Sequence, residues 1–155
     1  MSRDYQLVTD GERMDQEFSI LISDLSLLYQ KYFNRQVRDL GLTSVQWQVL
    51  SSLARHKGLT QTEVADVLNR GKSPVGKTLD SLEAAGWLVR EPSKEDRRVK
   101  NIFLTDKLGL VEERLLGVID SMNEIAERGL VPSNREIIRS GLFQVRRNLQ
   151  DELEG

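Results

Sequence analysis

Residues 59–90 read LTQTEVADVLNRGKSPVGKTLDSLEAAGWLVR, and this stretch decides the fold. Thr60 is followed three places later by Glu63, the pairing of a capping box that satisfies two backbone donors at a helix start. A short helix follows with Val64, Ala65 and Leu68 turned inward, and Asn69-Arg70-Gly71 breaks it. The spacing predicts a second helix over residues 73–85, with Pro74 in the favoured first position. Val75, Leu79 and Leu82 give it one buried stripe, and Gly86 ends it. The period then changes. Trp87-Leu88-Val89-Arg90 and Lys100-Asn101-Ile102-Phe103-Leu104 are short runs of strand formers, joined by a polar loop holding Pro92, Ser93 and Asp96. Two short helices, a tight turn and a hairpin make a winged helix-turn-helix.

Working upstream, Thr43-Ser44-Val45-Gln46 is another capping box, opening a helix that uses Val49, Leu50 and Leu53 and stops near Gly58. Before it, residues 15–39 place Phe18, Leu21, Ile22, Leu25, Leu28, Tyr29, Tyr32 and Phe33 at helical spacing, with Gly41 as the C-cap. Ile20 and Leu27 add apolar surface on another side, so this helix needs cover on two sides. Downstream, Thr105-Asp106 is the expected start of a helix carrying Leu108, Val111, Leu115, Val118, Ile119, Met122 and Ile125. Gly129 and Pro132 break the pattern. Ser133-Asn134-Arg135-Glu136 reads as a third capping box, ahead of a helix with Ile138, Leu142, Val145 and Leu149 on one side. The fold class is therefore mainly α with a small β-hairpin wing. One domain is expected over residues 1–155, with its winged helix-turn-helix core at about 43–106 and dimerisation helices at about 15–39 and 106–153.

Composition narrows the function. The chain has 155 residues, no cysteine and a single histidine, His56. Disulfides, thiolate metal sites and thiol redox sensing are excluded, and no metal or cofactor is expected. No glycine-rich loop lies between a strand and a helix, so an enzyme is not expected. No apolar run approaches the ~20 residues needed to span a bilayer, and residues 1–13 lack the apolar core of a secretory signal. A cytoplasmic location follows as the expectation. The net charge is -2, yet residues 70–100 hold eight basic residues against five acidic ones. A basic middle between acidic ends suits one face built for an anion.

The second helix of the pair is the one that enters the major groove in a winged helix-turn-helix. Its outward face is expected to carry Lys72, Ser73, Gly76, Lys77 and Asp80, with the small residues Ser73 and Gly76 admitting close backbone approach to DNA. At the hairpin tip, Asp96-Arg97-Arg98 suits insertion of an arginine into a narrow minor groove. Asp96 is expected to orient a neighbouring guanidinium. The DNA-binding candidates are thus Lys72, Ser73, Pro74, Gly76, Lys77, Asp96, Arg97 and Arg98.

This stretch resembles the MarR family of bacterial transcriptional regulators. The resemblance is carried by LTQTEVA at 59–65, LEAAGWLVR at 82–90, Asp96-Arg97-Arg98 and Leu104-Thr105. It implies an obligate homodimer built by interleaved terminal helices and binding to double-stranded DNA at a palindromic operator, usually as a repressor. Arg98 matches the minor-groove arginine, which leaves Arg97 for a phosphate or for Asp96. Lys77 stands where arginine is common, and Pro74 and Gly76 depart from the commoner threonine-type residues. The two reading helices of such a dimer lie about one DNA turn (~34 Å) apart.

The resemblance also implies release by a small aromatic or phenolic acid bound between the dimer helices and the winged domain. Tyr29, Tyr32, Trp47, His56 and Arg90 are the candidates to line that pocket, Arg90 matching a position linked to carboxylate ligands. Core packing is the competing reading for the aromatics, capping or surface exposure for His56, and a DNA phosphate for Arg90. The alternative function is a winged helix used only for dimerisation or protein contact, which would be expected to lose the basic face that Lys72, Lys77, Arg97 and Arg98 retain here.

Overall fold

Two of the three capping boxes read from the sequence close in the computed structural model, which describes the backbone of residues 10–155 and the side chains of 18–153. Two units are described separately, one running through Val118 and the other spanning Ile119–Gly155.

In the first unit, α1 covers Asp10–Gln36 and passes into a 3-10 turn, Arg38–Leu40, which Gly41 ends in the left-handed region. Gly41 therefore caps this added turn, and α1 itself stops at Gln36. Next, α2 spans Ser44–Arg55, with the Thr43 hydroxyl accepting from the Gln46 backbone N–H and the Gln46 side chain accepting from the Thr43 N–H. The first N–H of α2 has a partner from α1, since Ser44 N–H donates to Asn34 Oδ1 at 2.6 Å. The short α3, Gln61–Val67, has the equivalent box from Thr60 and Glu63. Asn69, at φ 50, turns the chain into α4, Lys72–Ala84.

Because Gly71 is the N-cap of α4, Pro74 sits at the third helical position rather than the first. It is still in the turn whose N–H groups have no intrahelical partner, so the missing donor costs no ladder bond. At the other end, Gly86 N–H donates to Glu83 O and Trp87 N–H to Leu82 O, a Schellman motif with Gly86 at φ 76. The hairpin follows: β1, Leu88–Pro92, pairs antiparallel with β2, Lys100–Leu104, in a register running from Leu88–Leu104 to Pro92–Lys100. Segment 59–60 adds a short third edge, with a bridge between Thr60 and Asn101 and a bond from Ile102 N–H to Leu59 O of 2.9 Å.

Val49, Leu50, Leu53, Val64, Ala65, Val75, Leu79, Leu82, Leu88, Ile102 and Leu115 are buried, as are Phe33 in the last turns of α1 and Val37 just past its end. They form the core that holds α4 and the hairpin in place.

The segment after β2 corrects the sequence expectation. Thr105 caps no helix; its hydroxyl donates to Gly86 O at 2.8 Å, tying the end of the wing to the end of α4. Lys107 adds a bond to Ala85 O at 2.7 Å and lies over the Trp87 ring. Residues 106–111 are turns, and α5 begins only at Glu112, running Glu112–Ala126.

The second unit takes in the end of α5 and α6, Pro132–Glu154. Pro132 opens α6 and Val131 is its N-cap without a side-chain bond, so the third capping box does not form. Ser133 lies inside the first turn, where its hydroxyl no longer flanks the helix end. Glu127 accepts from Arg139 and pairs with Arg135 at 3.6 Å. Among the described residues no helix is long and apolar enough to cross a membrane.

Candidate nucleic-acid interface

The buried stripe of α4 fixes which of its residues face outward. With Val75, Leu79 and Leu82 at 1% exposure or less, Lys72, Ser73, Pro74 and Lys77 are left exposed in its first two turns. Gly76 is not on that face. It is buried, and a Cβ at its position would lie 2.7 Å from Gln61 Nε2. Close approach at Gly76 is therefore to the preceding helix, not to open space. A residue without a side chain leaves room for one from the neighbouring helix, here that of Gln61, which a hydrophobic pattern does not record.

Asp80 is also committed. Arg90 reaches from β1 to pair with Asp80 Oδ1 at 2.8 Å and Glu83 Oε2 at 2.5 Å, and its own N–H donates to Glu83 Oε1. Burial works against the Arg90 charge, but the hydrogen bonds it donates to Asp80 and Glu83 more than offset this and raise its pKa. This fork of three charges ties the reading helix to the wing strand.

The wing loop is shaped by its own backbone. The Asp96 carboxylate accepts from the Arg98 N–H at 2.9 Å, Val99 N–H returns to Asp96 O, and Ser93 N–H bonds Val99 O. Asp96 thus builds the turn and does not orient a guanidinium, correcting the sequence expectation. A short acidic side chain accepting from the N–H two residues on is a common way to stabilise a turn. Arg97 and Arg98 are exposed on that loop. Arg98 also borders an open cleft of about 260 Å³, lined by Thr60, Gln61, Thr62, Arg90, Val99, Lys100 and Ile102. Gln61, Thr62 and Lys100 are neighbours of Arg98 that the sequence pattern does not single out. Strand register is what brings Lys100 there, opposite Pro92.

The proposed ligand residues are not gathered in this cleft, which holds Arg90 but none of the other four. Trp47 stacks on Phe33 with ring centroids 6.4 Å apart, a core contact at the α1–α2 junction. Tyr29 and Tyr32 are half-buried on α1, and His56 is the exposed C-cap residue of α2.

The comparisons with known proteins agree with this geometry. The model of the MarR family matches residues 40–99. YybA of Bacillus subtilis (strain 168), an uncharacterized HTH-type transcriptional regulator, is 25% identical over 121 residues, covering 78% of this chain and 81% of that protein. YwoH of the same organism, also an uncharacterized HTH-type transcriptional regulator, is 37% identical over 84 residues, 54% of this chain and 61% of its own length. Among solved structures, S. aureus MepR in complex with DNA superposes at a TM-score of 0.78 with 25% identity, over 84% of this chain and 97% of that one. The family match takes in the two-helix reading head, β1 and the wing loop, and over residues 40–99 this chain is similar to the MarR family of transcriptional regulators.

Proposed function

We propose that this chain is a homodimeric repressor that binds a palindromic operator through the first turns of α4 and the wing. The observation that carries the reading is the division of α4: its apolar stripe is buried while Lys72, Ser73, Pro74 and Lys77 stay exposed beside the N-terminal dipole. Arg98 supplies the minor-groove contact and Arg97 a phosphate contact. The dimer is supported by the apolar residues left exposed on α1 and α6, among them Phe18, Leu28, Leu142 and Leu149. The relative with the matching fold was solved with DNA, which supports the same partner here.

A small aromatic acid is the proposed effector, acting on the half-buried Tyr29, Tyr32 and Trp47 region. Arg90 is not free to receive its carboxylate, since Asp80 and Glu83 already hold it. A ligand releases DNA only if it binds the two arrangements of the dimer with different affinity.

The test is a binding titration against DNA flanking the chain's own gene, at several salt concentrations and with or without an aromatic carboxylate. Tight, sequence-selective binding that weakens with salt supports the reading, and weakening by the acid supports the effector. Arg98→Ala and Lys77→Ala each lower affinity about tenfold or more, with folding and dimerisation intact. Binding without selectivity over random DNA would favour a winged helix used for protein contact.

A further inference from the structure

Position 76 presents a vacancy in the side-chain pattern of the reading helix, and a residue from a different helix fills it. The Gln61 side chain, at the start of α3, lies across the Gly76 backbone so closely that even a methyl group there would collide with its amide. Its Nε2 also donates to Lys72 O at 3.3 Å, in the first turn of α4. That bond uses one amide hydrogen, leaving a second N–H and the Oε1 acceptor. The same side chain is half-buried and forms part of the cleft that Arg98 and Lys100 border. Gln61 thus stands between the two parts of the proposed reading face, over the helix turn whose residues reach base edges in this architecture.

We infer that Gln61 is a specificity-determining residue, delivering from α3 the polar group that α4 lacks at Gly76. The free donor and acceptor of one amide match the N7 acceptor and N6 donor of adenine in the major groove. The base read is accordingly an adenine, and Gly76 is required because any larger residue displaces the amide. The inference rests on the DNA reading given above.

The experiment measures full-length protein on the protected site found by footprinting, on that site with each base pair changed in turn, and on random DNA of equal length. Gln61→Ala is expected to lower affinity for the protected site about tenfold, within the range for one bidentate base contact. Binding to random DNA should change less than twofold. Selectivity should relax at one A·T pair per half-site and nowhere else. Gly76→Ala should reproduce that profile. Its melting temperature should stay near that of the wild type, because alanine favours the helix and the displaced group is the tip of a flexible side chain. The double variant should be no worse than Gln61→Ala, since both changes remove the same contact.

Equal losses on random and protected DNA would overturn the inference, as would multiplicative losses in the double variant or unchanged selectivity in Gln61→Ala. If the wild type shows no protected site at all, the DNA reading falls and the inference with it. A wild type that is selective beside a Gln61→Ala variant equally selective sinks the inference alone.

Discussion

Helices α4 and α6 are both amphipathic, and they meet opposite fates. In α4 every residue of the apolar stripe is buried; in α6 Leu142 is 42% exposed, Phe143 59% and Leu149 62%. From Ile119 onward none of the described side chains is buried, whereas the first unit holds the whole core. A helix gains most of its stability from packing an apolar face, so α6 needs a surface that α4 already has within its own unit. The first unit is held by its own chain, and the second is built for company. That contrast fits the homodimer proposed above.

The largest expected effect lies in the self-sufficient unit. Leu82→Ala removes a fully buried side chain from between α4 and the core and should cost about 2–5 kcal/mol. Urea unfolding should show the loss at every protein concentration. A loss under 1 kcal/mol would mean the α4 packing is far looser than its burial indicates. Next in size, Leu142→Glu with Leu149→Glu tests the other side of the comparison. Placing unpaired carboxylates in a dimer contact should weaken association about a hundredfold, or ~3 kcal/mol, and remove the concentration dependence of melting. Sedimentation velocity reads this directly. A pair of substitutions that leaves the sedimentation coefficient unchanged would show that this face of α6 is not the dimer contact.

What could be read from residue order divides along the same line. The two boxes at Thr43–Gln46 and Thr60–Glu63 were legible because a cap is a local signal, complete within four residues. Gly86 was legible for the same reason. The apparent third box was not decisive, because Pro132 just ahead of it claims the first helical position. Thr105 looked like a cap but is used by Gly86, nineteen residues away, and α5 starts later in consequence. Gly76 was placed on the outer face because helical period alone cannot say that Gln61 lies against it, and the same period, which put Asp80 on that face correctly, gives no sign of its pairing with Arg90. The Arg114–Asp39 pair, 75 residues apart in sequence, has no local signature at all. Partners distant along the chain decide the site, and period and capping do not encode them.

A smaller effect tests how the wing is joined to the reading helix. Arg90 has a largely buried side chain, but its partners are more exposed, Asp80 at 70% and Glu83 at 39%, so solvent screens much of the attraction. Arg90→Met keeps the stem packing and removes the fork. It should cost about 1 kcal/mol and speed amide exchange in β1 and β2, while lowering DNA affinity through a less fixed Arg98. Unchanged exchange in the hairpin would show that strand pairing alone holds the wing.

The smallest effect separates two caps that do the same job with different chemistry. Gln46 closes the α2 box with a neutral amide, while Glu63 closes the α3 box with a carboxylate that accepts from Thr60 N–H at 2.7 Å and the Thr60 hydroxyl at 2.8 Å. The Thr60 N–H, then its hydroxyl, hold the Glu63 pKa below its ordinary value. A carboxyl depressed on folding contributes stability that is fully present above its unfolded pKa, about 4.3, and is lost as pH falls through the folded value. Only the α3 cap should therefore weaken in acid. Glu63→Gln converts it to the chemistry of the α2 cap and should change stability at neutral pH by less than about 0.5 kcal/mol, since the acceptor is kept. Below about pH 4 the variant should lose stability less steeply than the wild type. The slope that remains includes Asp39, whose pKa is lowered chiefly by its hydrogen bond from Arg114. Parallel acid limbs for the two proteins would mean that Glu63 contributes no more in its charged state than an amide does, and that the two caps differ in residue type alone.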